Sequence, residues 1–203
     1  MKEESTYVAV IGDLVASRGS ARKSSHSTLM EALKYLPMGI SPIAPTVGDE
    51  VQGVFGRLAE AIKATHLLRL RMLSHGSDIR FGIGLGDIEE IGDGIQDGSA
   101  WWDARAALED VQQLYQTSGW SGVRTGVNHD DPRLAPSLQL IDVSVSELKP
   151  SVVRTLLGLL TGESNQETAI AVGISPSANS QRVQTNQLRP LAAAMVSHWP
   201  HSS

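Results

Sequence analysis

The chain has 203 residues, 41% of them hydrophobic, enough for one medium domain or for a larger and a smaller one. A net charge of −5 argues against a nucleic-acid-coating protein that is basic throughout, and a sequence with no cysteine excludes disulfides and cysteine-ligated zinc, so the cytoplasm is the expected location. No apolar run approaches the length of a membrane span, and the first ten residues lack the apolar stretch of a signal peptide, so no membrane partner is expected.

In chain order, the apolar run from Tyr7 to Ile11 predicts a buried strand that ends in Gly12-Asp13. Leu29, Met30, Leu33 and Leu36 then fall at helical spacing behind serines that can cap a helix. The segment APTVGDEVQGVF, residues 44–55, predicts two short strands meeting at Gly48-Asp49. Leu58, Ala61, Ile62, Leu67, Leu68 and Met72 mark an amphipathic helix, and Ile79, Phe81, Ile83 and Leu85 an alternating strand. A glycine-rich acidic stretch with Asp87, Glu89, Glu90, Asp93 and Asp97 predicts a mobile loop without an assigned ligand, and residues 100–115 predict another helix. The order β-α-β-β-α-β-α predicts an α+β sandwich, since a hairpin interrupts the alternation that a doubly wound sheet requires.

From Ser118 to Pro136 glycine, proline and polar residues predominate, which predicts a linker over 119–136 between a first domain, 1–118, and a helical domain, 137–203. Charge supports the division. Residues 149–203 carry four basic residues against two acids, a balance of +2, and the remainder carries −7.

Asp13 at a strand end and Asp49 at a hairpin tip would converge if their strands are neighbours. Such carboxylates suit Mg²⁺ or Mn²⁺ held together with the phosphates of a ligand. Glu50, one residue further along a strand, is expected to face the other way and ranks below Asp49.

The segments VAVIGDLVAS, PTVGDEVQGVF, IRFGIGLGDI and DGSAWWDARAAL, taken in that order, resemble the class III nucleotidyl cyclase fold, and within that superfamily the whole chain most resembles the SatD family. The resemblance implies a ferredoxin-like palm over residues 7 to about 115. It also implies metal ligands at Asp13 and Asp49, a nucleotide cradled by Gly48 and Arg105, and Arg105 as the catalytic arginine if the protein turns over. Catalysis across a dimer, and hence a homodimer, is a further implication. Two positions depart from the family: Pro45 stands where a purine-reading lysine is expected, and Trp101 where a ribose-orienting asparagine is expected.

Residues 152–184 have the rhythm of a helix-turn-helix. Ser164 with Glu167 forms a capping box, Ala169 permits a tight crossing, Gly173 permits a left-handed turn, and Ser175-Pro176 opens the last helix, whose pattern runs through residues 176–195. The segment resembles the helix-turn-helix of LuxR-type regulators and of sigma-factor region four. DNA contacts are expected from Ser177, Asn179, Ser180, Gln181, Arg182 and Gln184, with Arg154 and Arg189 on phosphates. The function expected is therefore a cytoplasmic DNA-binding regulator whose cyclase-like domain binds a nucleotide with Mg²⁺; the alternative is an active nucleotidyl cyclase or nucleotidyl transferase with a helical dimerisation tail.

Overall fold

The computed structural model describes residues 6–15, 21–46, 48–92 and 95–200. Strand β1 (Tyr7–Leu14) is followed by α1 (Ala21–Leu33), the hairpin β2 (Ser41–Pro45) and β3 (Glu50–Phe55), α2 (Leu58–Ser74) and β4 (Ile79–Gly86). A two-stranded ribbon, β5 (Glu89–Gly92) and β6 (Ile95–Asp97), leads into α3 (Ser99–Tyr115) and the short β7 (Thr125–Val127). Five helices close the chain: α4 (Leu134–Ser146), α5 (Pro150–Thr161), α6 (Asn165–Ala171), α7 (Pro176–Thr185) and α8 (Leu188–Val196). The class is α+β, built on one five-stranded mixed sheet of order β2-β3-β1-β4-β7, in which β7 alone pairs parallel.

Strand alternation assigns the two faces of that sheet. Val8, Val10 and Leu14 of β1, Val51 and Phe55 of β3, and Ile79, Phe81 and Ile83 of β4 share one buried cluster with α1 and α2. The other face of β1, Ala9 and Ile11, packs on Ala100, Ala104 and Leu108 of α3. Here β4 contributes Gly82 and Gly84, where a Cβ would collide with the backbone of α3 at Ala104 and Ala100. Only glycine lets this helix lie so close to the sheet.

The helical half shares the first cluster: Leu138, Ile141 and Val145 of α4, Val153 and Leu156 of α5, Val183 of α7 and Leu188 of α8 all belong to it. Fixing the joint is a buried charge network. Arg69 of α2 bonds Asp142 Oδ1 at 2.6 Å and Asp78 at 3.0 Å, Asp142 Oδ2 accepts the backbone N–H groups of Arg124 and Thr125 at 2.8 and 2.6 Å, and Arg124 returns to Asp78 at 2.7 Å. Burial opposes the charge on Arg69, but Asp142 and Asp78 outweigh it and hold its pKa above the ordinary value.

Four expectations change. The stretch 119–136 is not a plain linker, since it contains β7 and the start of α4 and its backbone is bonded to the buried Asp142. Helix α1 already runs at Ala21, so Ser24, Ser25 and Ser27 lie inside it and do not cap it. The acidic stretch after β4 folds into the β5–β6 ribbon, with Asp93 outside the described residues. The last predicted helix is two, broken at Gln187, whose φ of 52° is left-handed. Around α6 the sequence signals are realised: Ser164 and Glu167 form both bonds of the capping box, Ser175 accepts from Ala178 N, and Gly173 has φ 69°.

Candidate functional site

Asp13 stands at the end of β1, directly across from Glu50 on β3 and from Arg80 on β4. Directly opposed residues of an antiparallel sheet point to the same face, here the face that α3 only partly covers. Two carboxylates in such a position repel one another unless each has a counter-charge. Arg80 donates to Asp13 Oδ2 from Nε at 3.1 Å and Nη2 at 2.8 Å, and Gln112 of α3 approaches the same oxygen at 3.4 Å. Arg105, about two turns before Gln112 on α3, takes both oxygens of Glu50, at 2.7 and 2.9 Å. The result is a row, Arg105, Glu50, Asp13 and Arg80, in which opposite charges are bonded and the two carboxylates meet in the middle.

The row is part-exposed: the side chains of Arg80, Glu50, Asp13 and Arg105 keep 18%, 23%, 28% and 44% of their accessible surface. Burial raises the pKa of Glu50, but its hydrogen bonds from Arg105 and Gln52 outweigh that and hold the carboxyl below the usual carboxylate range. The bond to Glu50 in turn raises the pKa of Arg105. Both groups are ionised at neutral pH.

Beside the row lies an open groove of about 440 Å³, floored by Ile11 and Gln52 and walled by Gln96, Trp101, Trp102 and Arg105. Trp102 is 64% exposed and donates its indole N–H to Asp97 at 2.8 Å, whereas the Trp101 indole nitrogen is buried without a partner.

The metal expectation meets this geometry in altered form. Among the described residues no group of three or more His, Cys, Asp or Glu side chains comes together as a metal cage. What the sheet brings together is the Asp13 and Glu50 pair, so Glu50, ranked second from the sequence, is the residue in register with Asp13. Asp49 precedes it in the turn, next to Gly48 at φ 80°, and its carbonyl accepts the N–H of Leu14 at 3.3 Å. A pair of carboxylates suits a hard cation that takes its remaining ligands from water and phosphate. Arg80 and Gln112 escaped the sequence reading. The signal for Arg80 was present, because in IRFGIGLG the apolar residues occupy one face and Arg80 shares the other with glycines.

The residues expected to meet DNA separate into two groups. Ser177, Ser180, Gln181, Gln184 and Arg189 are exposed on α7 and α8. Asn179 is not available to a base: it is 2% exposed, accepts from Thr155 at 3.0 Å and donates to Asn165 at 2.9 Å, and so ties α5, α6 and α7 together. Arg182 is half-buried and donates to the Ser151 carbonyl at 2.9 Å. Arg154 is held by both oxygens of Glu163, at 2.9 and 3.0 Å, in a cavity that α5 forms with α1 and α2. These three are structural ties in this fold. Their polar and basic side chains read as DNA contacts in the sequence, where nothing local says that Thr155, Ser151 and Glu163 will engage them.

Compared with known proteins, residues 7–189 match the model of the SatD family. The curated proteins give no match.

Proposed function

The chain belongs to the SatD family, and from that premise we propose that it is a DNA-binding regulator whose sheet carries a site for a nucleotide bound with Mg²⁺ or Mn²⁺. In this reading the sheet with α1 to α3 is a nucleotidyl cyclase-like palm, and α6 with α7 is a helix-turn-helix. The observation that carries it is the row Arg105, Glu50, Asp13 and Arg80 beside an open groove.

The charges of that row suit an exchange. A divalent cation would be held by Asp13 and Glu50, with Asp49 at hand on the adjoining turn, and it would supply charge neutralisation for a polyphosphate. Arg105 and Arg80, released from their carboxylates, would bind the phosphate oxygens, for which a guanidinium fork is suited. A cation alone would strand two arginines, and a phosphate alone would strand two facing carboxylates. Binding is therefore favourable only when both arrive together. A base would lie in the groove against Trp102 and Gln52.

Turnover is not part of the proposal. Pro45 offers no side-chain donor to a purine, and the Trp101 indole nitrogen is buried. On the helical half, the exposed Ser177, Ser180, Gln181 and Gln184 would read base edges and Arg189 a phosphate. A homodimer would set two copies of α7 on successive major-groove turns, which a module with so little positive charge needs for useful affinity.

The test is a thermal-shift titration with nucleoside triphosphates and second-messenger nucleotides, with and without Mg²⁺ or Mn²⁺. A hundredfold excess over the dissociation constant stabilises by about 2.7 kcal/mol. The expected shift needs nucleotide and metal together and disappears in Asp13→Asn and Arg105→Gln; no shift with any pair refutes the site. Mobility shifts on genomic fragments, weakened by Gln181→Ala, and sedimentation for the dimer test the remainder.

A further inference from the structure

A second cavity lies on the opposite face of the sheet from Asp13, enclosed by α1, α2 and α5 and holding about 310 Å³, within the size range of small-molecule pockets. Its chemistry is set by Arg71 of α2. The Arg71 Nε atom is buried and has no hydrogen-bond partner, and the guanidinium lies 4.8 Å from the centroid of the Tyr35 ring. A buried donor left without an acceptor is costly, and native proteins seldom leave one so.

The carboxylates that line the cavity do not answer Arg71. Glu163 is doubly bonded by Arg154, and Glu31 is bonded by Lys34 at 2.6 Å. Of the two arginines that line the cavity, Arg154 is the one bonded to Glu163, and Arg71 has no carboxylate bonded to it. Burial, and after it the neighbouring charge of Arg154, lower the pKa of Arg71, and the smaller opposing effects of Tyr35 and Glu163 do not restore it. The rest of the lining is mixed: hydroxyls of Ser27, Thr28 and Ser74 together with Ala32, Leu157 and the Tyr35 ring.

We propose that this cavity is a binding site for a small organic oxyanion, a phosphomonoester or carboxylate with a compact apolar body. The oxyanion would sit on Arg71 with the hydroxyl of Thr28 beside it, and the body would lie against Tyr35 and Leu157. Because α1 and α2 flank the sheet and α5 belongs to the helical half, an occupant touches both and strengthens their packing. The site shares no residue with the Asp13 row, so either can fail without the other.

The test uses the full chain and three probes: phenyl phosphate, benzoate and inorganic phosphate, followed by calorimetry and by the NMR signal of the Arg71 Nε–H group. The expected result is saturable binding of phenyl phosphate or benzoate, a shift of that signal, and at least about a tenfold loss of affinity in Arg71→Gln with none in Arg105→Gln. No saturation by any probe up to about 20 mM in the unmodified protein, or equal affinity in Arg71→Gln, overturns the proposal. Inorganic phosphate binding as tightly as phenyl phosphate overturns the assignment of an organic body. The titration of the unmodified chain decides the matter even if Arg71→Gln does not fold.

Discussion

Asp142→Ala should be among the most damaging single substitutions in this protein. Asp142 is 2% exposed and accepts from Arg69, from the N–H groups of Arg124 and Thr125, and from the Thr125 hydroxyl. Removing one member of a buried ion pair costs about 3–5 kcal/mol, and each buried N–H left without an acceptor about 1–3 kcal/mol. Arg69 keeps Asp78 and Ser146, and the terms overlap, so the expected loss is about 4 kcal/mol, a large share of a typical folding free energy. Urea unfolding followed by far-ultraviolet circular dichroism and by tryptophan fluorescence measures it. With an m value of about 2 kcal/mol/M the midpoint should fall by about 2 M. Both probes should report one transition, because Leu138, Val153 and Leu156 share a core with β1 and β4. A loss under about 1 kcal/mol, or a helical half that melts separately, would refute the reasoning.

The other predictions concern single features. Burial, with the charges of His198 and Arg69 behind it, depresses the pKa of His66 to about 3, so below pH 6.5 the unfolded chain binds the extra proton and stability falls as pH drops toward 3. The fall should be about 1.4 kcal/mol per pH unit, about 2 kcal/mol by pH 5, and His66→Gln, which keeps an acceptor for Trp199 Nε1, should flatten the stability profile over that window. Gly82→Ala would drive a methyl group into the α3 backbone and should cost more than about 3 kcal/mol in chemical denaturation, whereas Gly173→Ala, a left-handed turn with open space around it, should cost about 1 kcal/mol. Ser164→Ala removes one arm of the capping box and should lower stability by about 1 kcal/mol, read as a small shift in melting temperature. Asn179→Ala should lower the melting temperature, and Ser180→Ala on the same helix should not.

What was legible in the sequence was whatever local chemistry decides. The alternation of Ile79, Phe81 and Ile83, the hairpin at Gly48-Asp49 and the caps at Ser164 and Ser175 each carry their cause within a few residues. What was not legible depends on which surfaces meet. Nothing local to Asn179 says that Thr155 will bond it, and a polar residue at the start of a helix reads equally as a base contact and as a tie. The strand Thr125–Val127 is three residues long with a glycine at its centre, and only its pairing with β4 makes it one. For the carboxylates, the sequence reading set Asp13 beside Asp49, and the sheet sets Asp13 across from Glu50. Whether Asp49 or Glu50 meets Asp13 depends on where the hairpin turn ends, the least certain feature of a strand read from sequence.

The place of β7 has a practical consequence for dissecting this protein. Its short parallel pairing supplies the outer neighbour of β4, and the N–H of Phe81 donates to the Arg124 carbonyl at 2.7 Å. A fragment cut at residue 118, where the composition changes, would leave β4 with an unsatisfied and strongly apolar margin, the kind of surface on which chains stack into insoluble aggregates. A soluble N-terminal fragment has to run through β7 and on through α4, whose Asp142 anchors that strand. Exchange of α5 to α8 between relatives must therefore be made after residue 146, where α4 ends, and not at the boundary that the composition suggests.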